Sequence, residues 1–211
     1  MKIIIFGATG GTGQQLVEQS LSIGYETSVF VHNNPQKLDQ YAGKIKIYQG
    51  DVRDFDGVNQ AIQGHDAVMI ALGAIPGKVQ QTLSLGTANI VRVMETNNIK
   101  RLVTETGAAL VEDKNQLPMI WRLTPNMPLM REMFDDKRKQ EKAIMDSKLD
   151  WIIVRPANLN NNPLNLNYKV GEHIKLQVAS SVARADVADF MIKQLTSDTW
   201  LKKAIIIESA N

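Results

Sequence analysis

The chain has 211 residues, 44% of them apolar and 22% charged, which suits one globular α/β domain with a core of its own. It contains no cysteine, which excludes disulfide scaffolds, thiolate nucleophiles and cysteine-held metal sites. Its three histidines (His32, His65, His173) lie far apart in sequence and its net charge is only +2, so neither a metal site nor a direct nucleic-acid partner is expected.

The predicted elements alternate along the chain. Strands are expected at 2–6 (KIIIF), 26–31 (ETSVFV), 45–49 (IKIYQ), 66–72 (DAVMIAL), 101–106 (RLVTET), 151–155 (WIIVR) and 203–208 (KAIIIE). Several are almost continuously apolar, as strands covered on both faces of a parallel sheet must be. Helices are expected at 13–23, stopping at Gly24, and at 54–63, 78–97, 129–147 and 184–196, the last with Asp186 as a first-turn acid or cap. Residues 157–167 (ANLNNNPLNLN) read as loop and 168–178 as a short hairpin or extended arm. This order predicts a Rossmann-like, doubly wound parallel sheet in a single domain spanning residues 1–211. The N-terminal apolar run breaks at Gly7, too short for a signal-peptide core, and no stretch approaches the roughly 18 apolar residues of a membrane span. A soluble, cytoplasmic protein without membrane contact is expected.

The strongest chemical signal is Gly7-Ala8-Thr9-Gly10-Gly11-Thr12-Gly13, between the first strand and the first helix. This G-x-x-G-x-x-G run is a variant of the dinucleotide fingerprint. Glycines let the backbone approach a pyrophosphate, and the free N–H groups at the positive end of the helix bind the anion. At the end of the second strand an NAD site usually carries an acidic residue for the ribose 2′-OH. Here the chain reads Val31-His32-Asn33-Asn34-Pro35-Gln36-Lys37, with no carboxylate before Asp39. His32 and Lys37 either face a 2′-phosphate, which favours NADP(H) over NAD(H), or are solvated. Asp51 and Val52 follow the third strand, where adenine is held; Asp51 either accepts from the adenine amino group or caps the next helix.

These motifs, with Ala71-Leu72-Gly73 after the fourth strand and Arg155-Pro156 after the sixth, resemble the atypical short-chain dehydrogenase/reductase group. Phe134-Asp135-Asp136, Lys142 and Ser147-Lys148-Leu149-Asp150-Trp151 are similar to its flavin reductase (biliverdin reductase B-like) and NmrA-like members. The resemblance covers nearly the whole chain. It implies a Rossmann-like fold, cofactor contacts at Ala71, Leu72, Gly73 and Pro156, and NADPH-dependent reduction of a flavin or similar planar acceptor. The chain also departs from the pattern. Four places after Tyr25, Tyr41, Tyr48 and Tyr168 stand Val29, Ile45, Val52 and Glu172, so the Tyr-x-x-x-Lys pair of the broad superfamily is absent; the tyrosine slot ahead of Lys137 holds Met133. The serine of the flavin reductase type is replaced by Gly107, beside Thr106, and its histidine by Asn158.

Reduction of a flavin or quinone tolerates these losses, because the acceptor is already electrophilic. Holding two rings at reacting distance can alone supply roughly 7–11 kcal/mol of the barrier. Thr106 and Asn158 are candidates to orient the nicotinamide or the acceptor, against readings as a strand-end hydroxyl and a turn residue. Lys137 is a candidate contact of the nicotinamide ribose, against a solvated helix face in which Asp135 pairs with Lys139. Residues 117–134, rich in Met and Pro, read either as a loop that is a lid over a planar substrate, or as a loop and helix start packed on the core or on another subunit; 157–183 is the other acceptor element, with His173 as a candidate polar group. The NmrA-like resemblance leaves open a non-catalytic NADP-binding redox sensor acting through a protein partner.

Overall fold

Ile3, Ile4, Ile5 and Phe6 are all fully buried, yet they belong to two cores. Side chains of successive strand residues point to opposite faces. Ile3 and Ile5 therefore pack with Leu16, Val17, Val187 and Met191 on one side, and Ile4 and Phe6 with Val58, Ile62, Ile90 and Ile144 on the other. A continuous apolar run is thus the signature of a strand sandwiched between two helical layers.

The computed structural model describes residues 1–73 and 81–210. Seven strands are parallel: β1 (Lys2–Phe6), β2 (Glu26–Val31), β3 (Ile45–Gln49), β4 (Ala67–Ile70), β5 (Arg101–Glu105), β6 (Asp150–Pro156) and β10 (Lys203–Ser209). Their spatial order is β3-β2-β1-β4-β5-β6-β10, with β8 (Tyr168–Gly171) added antiparallel at the β10 edge. Helices α1 (Gly11–Ser22) and α6 (Arg184–Lys193) cover one face; α2 (Phe55–Ile62), α3 (Thr82–Thr96) and α5 (Pro128–Met145) cover the other. The order reverses between β1 and β4, and the carboxyl ends of the strands splay there into the crevice where such sheets bind ligands.

The ends of the helices follow from local chemistry. Gly24, with φ +83°, closes α1: its N–H donates to Leu21 O, and that of Tyr25 to Ser20 O, the paired bonds of a Schellman turn. Asn98 (φ +56°) does the same for α3, and the part of the helix expected at 78–80 lies outside the described residues. The Asn-rich stretch is more ordered than expected of a loop. Asn158–Asn160 form β7, which pairs in parallel with β9 (Ser181–Ala183). Of the two readings of 168–178, the extended one holds, as the edge strand β8. Asp186 sits in the first turn of α6 but does not cap its own helix. Its Oδ1 accepts instead from the N–H groups of Asn165 and Leu166, at 3.1 and 2.9 Å, and anchors the Asn-rich segment.

The 117–134 stretch also differs. It is helical, with α4 (Met119–Leu123) leading through a 3-10 turn, Thr124–Asn126, into α5. Its three prolines stand at the starts of turns: Pro118 caps α4, Pro125 opens the 3-10 turn and Pro128 opens α5. Proline lacks an N–H that these positions do not use, so it punctuates the helices rather than breaking them. No helix among the described residues is long and apolar enough to cross a membrane.

Candidate cofactor and acceptor site

The turn after β1 is shaped by two glycines, Gly7 and Gly13, that no other residue replaces. Gly7 has φ +86°, and a Cβ on it would lie 2.3 Å from the Ala71 carbonyl oxygen at the end of β4. A Cβ on Gly13 would lie 2.1 Å from Gly7 O. These contacts press the turn onto β4 and α1 onto the turn. Gly10 has an ordinary extended backbone, and a Cβ there would meet Gly7 O at 3.3 Å. Above the turn, between the carboxyl ends of β1, β2, β3 and β4, opens a cavity of about 580 Å3. The N-terminus of α1 faces it without a side-chain cap and without an acid in its first turn. The neighbouring helices are closed: Asp54 caps α2, and the buried Asp136 carboxylate accepts from the N–H groups of Leu83 and Ser84 at the start of α3. The unused α1 donors therefore remain for an anion, and the residues present fit a dinucleotide diphosphate.

At the far end of the cavity, Asp51 accepts from the Arg53 backbone N–H at 2.9 Å and from its guanidinium Nη2 at 2.5 Å. These hydrogen bonds hold its carboxyl at about 2, below the usual carboxylate range. His32 Nε2 stands 3.9 Å from the same carboxylate. Asn33 and Asn34 complete this polar mouth.

Beyond β4 the carboxyl edge is built differently. The Thr106 hydroxyl donates to Glu141 Oε1 at 2.6 Å, and Lys137 Nζ donates to Thr106 O at 2.9 Å. Glu141 also accepts from Arg155 Nε and Nη2, while Arg155 reaches Glu112 with Nη1 and Nη2. Burial opposes the charge on Arg155, but its bonds to Glu141 and Glu112 outweigh it and raise the guanidinium above its ordinary range. On the α1 side of β5, Glu105 accepts from Thr12 Oγ1 at 3.1 Å. Burial pushes the Glu105 carboxyl up and pulls the Lys137 ammonium down, each partly offset by the other.

Residues 7–198 match the model of the NAD(P)H-binding family. The chain belongs to that family. A UPF0659 protein of Saccharomyces cerevisiae is 25% identical over 228 residues, covering 100% of this chain and 94% of the yeast protein. Two solved structures share the fold. The anaerobilin reductase ChuY from Escherichia coli superposes with a TM-score of 0.81 at 17% identity, covering 98% of this chain and 96% of its own. A wide-type short-chain dehydrogenase/reductase from Veillonella parvula, in complex with NADP, gives 0.77 at 21% identity, covering 98% and 93%.

For a member of the NAD(P)H-binding family, the expected residues fall into two groups. Gly7, Thr9, Gly10, His32, Asp51, Val52, Ala71, Leu72 and Gly73 all line the cavity. Gly11, Thr12 and Gly13 form the first turn of α1 beneath it. Lys37 stands apart, exposed on a 3-10 turn (Pro35–Tyr41) and off the cavity lining. Asp51 does not cap α2, since Asp54 does. Thr106 and Lys137 are brought together, Thr106 buried and Lys137 half-buried, but in the side-chain network rather than on the cavity wall. Pro156 is buried at the end of β6, Asn158 is exposed on β7, and His173 is exposed. The face expected to be solvated is only partly so: Asp136 and Glu141 are buried, and Asp135 pairs with Arg138 at 2.6 Å rather than with Lys139.

The sequence pattern missed Arg53, Asp136, Glu105 and the Arg155 pairings. Arg53 carried a usable signal, standing two places after Asp51. His65 is structural: its Nδ1–H donates to Ile62 O and its Nε2 accepts from the Ser28 hydroxyl, before β4. Tyr168 lies on the edge strand β8, off the cavity lining, and donates to Asp189 at 2.6 Å; burial with that bond pushes its pKa up to about 12.

Proposed function

We propose that the protein is an NADPH-dependent reductase that delivers hydride to a flavin, a quinone or a similar planar acceptor. The observation that carries this reading is the uncapped α1 N-terminus over a cavity whose other helix ends are closed by carboxylates. NADPH when bound supplies the hydride; the protein holds the diphosphate on the glycine turn and presents the nicotinamide end towards β5 and β6. No tyrosine stands ahead of Lys137, and the Thr106 hydroxyl is engaged by Glu141, so the acceptor must already be electrophilic. The reductase activity named for ChuY agrees with such an acceptor.

A preference for NADPH is supported by His32 and Arg53 at the adenosine end, by the lack of a carboxylate between Val31 and Asp39, and by the NADP held in the Veillonella protein. The test is absorbance-monitored oxidation of NADPH on adding FMN or a quinone, with NADPH and NADH titrated in parallel. Turnover with tighter NADPH binding is expected. Bound NADPH without turnover across a panel of such acceptors would sink the reductase reading. It would favour a second reading, a redox sensor acting through a protein partner. The apolar face of Met119, Ile120, Leu123, Met127 and Leu129, each more than half exposed, suits such a partner. A sensor requires different affinities for the oxidised and reduced cofactor.

A further inference from the structure

Gly11, the first residue of α1, differs from the other glycines of the turn. A Cβ on Gly7 or Gly13 would strike backbone, whereas a Cβ on Gly11 would lie 2.6 Å from Cδ and 2.7 Å from Nε of Arg184. That arginine comes from the last third of the chain, as the first residue of α6, and its side chain lies beside Gly11. The absence of a side chain at position 11 makes the room it occupies.

Chain placement, one hydrogen bond and one charge attraction hold Arg184 there. The β7–β9 pair delivers it to the turn. Its Nη1 donates to Asn161 Oδ1 at 2.7 Å, in the Asn-rich segment. The buried Glu105 carboxylate attracts it, and is itself tied to the turn through Thr12 Oγ1. The run from Gly7 to Gly13 contains no cation, and His32 and Arg53 serve the adenosine end of the cavity. A diphosphate on the α1 N-terminus brings negative charge that helix donors neutralise only in part. A guanidinium is the side chain whose fork geometry matches phosphate oxygens.

We propose that Arg184, seated on Gly11, is the cation that binds the dinucleotide diphosphate, so that the positively charged part of the diphosphate site comes from the C-terminal third of the chain. The inference rests on the dinucleotide reading of the glycine turn and deepens it. It also explains why position 11 is glycine: a methyl group there displaces a flexible side chain rather than backbone, so the fold tolerates it while the arginine is pushed off the turn.

The experiment is calorimetric titration of the full chain with ADP-ribose, which carries the diphosphate but no nicotinamide. Arg184→Gln is expected to weaken binding about tenfold, the scale of one charge-assisted hydrogen bond. Arg184→Lys should recover part of the loss, and Gly11→Ala should weaken binding in the same direction, with thermal unfolding of all three close to that of the parent. If Arg184→Gln binds within twofold of the parent, or Arg184→Lys is no better than Arg184→Gln, the inference is overturned while the dinucleotide site stands. If the parent chain itself binds no ADP-ribose, the dinucleotide reading fails and the inference with it.

Discussion

The two halves of the carboxyl edge hold their functional groups by opposite means. Over β1 to β4 the site is mostly backbone: a glycine turn pinned by main-chain contacts with Ala71 and Gly7, and an open helix end. Over β5 and β6 it is side chain, with Arg155, Glu141, Thr106 and Glu105 buried and Lys137 half-buried beside them. A diphosphate is the same in every dinucleotide, and a backbone cradle recognises it with no side-chain entropy to lose. On the proposed reading the β5–β6 edge faces the acceptor; such an edge must adapt to one substrate, and side chains are what sequence change can alter. The cost is that long charged groups must be held under cover, where each is tolerated only while its partners are in place.

The largest expected effect tests that dependence. Arg155 is 2% exposed and is the shared partner of Glu141 and Glu112. Arg155→Ala leaves the buried Glu141 carboxylate without its cation and is expected to destabilise the fold by about 3–5 kcal/mol in urea unfolding. Replacing both partners, Arg155→Met with Glu141→Leu, should recover most of that loss, because the penalty arises from the uncompensated charge. A single-variant loss below about 1 kcal/mol would mean that water reaches Glu141 and that the two halves are not built differently.

The converse holds for the turn. Gly10→Val adds a side chain where the backbone angles are ordinary and the nearest backbone atom is 3.3 Å from the new Cβ. The fold should survive, with a melting temperature close to that of the parent. Binding of NADPH should fall by about 100-fold or more, roughly 2.7 kcal/mol, because the added methyl groups stand between the anion and the α1 donors. Unchanged affinity would remove the diphosphate from this turn.

The same contrast decides what could be read from the sequence. The sheet and the glycine turn were legible because their determinants are local: strands buried on both faces must be apolar throughout, and a tight turn needs glycine. The β5–β6 half was not, because its determinants are tertiary. Asp136 reads as one charge in a charged helix, and only packing brings it to Ser84, 52 residues earlier. Pro118, Pro125 and Pro128 suggested loop, yet each opens a turn of helix. At the polar mouth of the cavity, spacing along one strand pointed to Lys37. The 3-10 turn carries Lys37 off the cavity, and the cation that reaches it, Arg53, follows the neighbouring strand β3.

The smallest expected effect concerns that mouth and turns on a sign. The Asp51 carboxyl is held at about 2 in the fold, against 3.8 for the free group, chiefly by hydrogen bonds from Arg53. An acid whose folded pKa lies below its unfolded one stabilises the fold above the unfolded value, and that contribution fades as pH falls towards the folded value. Both side chains are partly solvated, 28% and 37% exposed, so solvent screening limits the contribution to under about 1 kcal/mol. Asp51→Asn should therefore melt slightly below the parent at pH 7, and the gap should close as pH falls from about 4 to about 2. Other titrating groups are common to both chains and cancel in the difference. A gap that stays constant over that range would show that the Asp51–Arg53 pair adds geometry but no charge stabilisation. A gap that closes would show that the Arg53 hydrogen bonds keep the carboxylate ionised below the pH at which a free one takes up its proton.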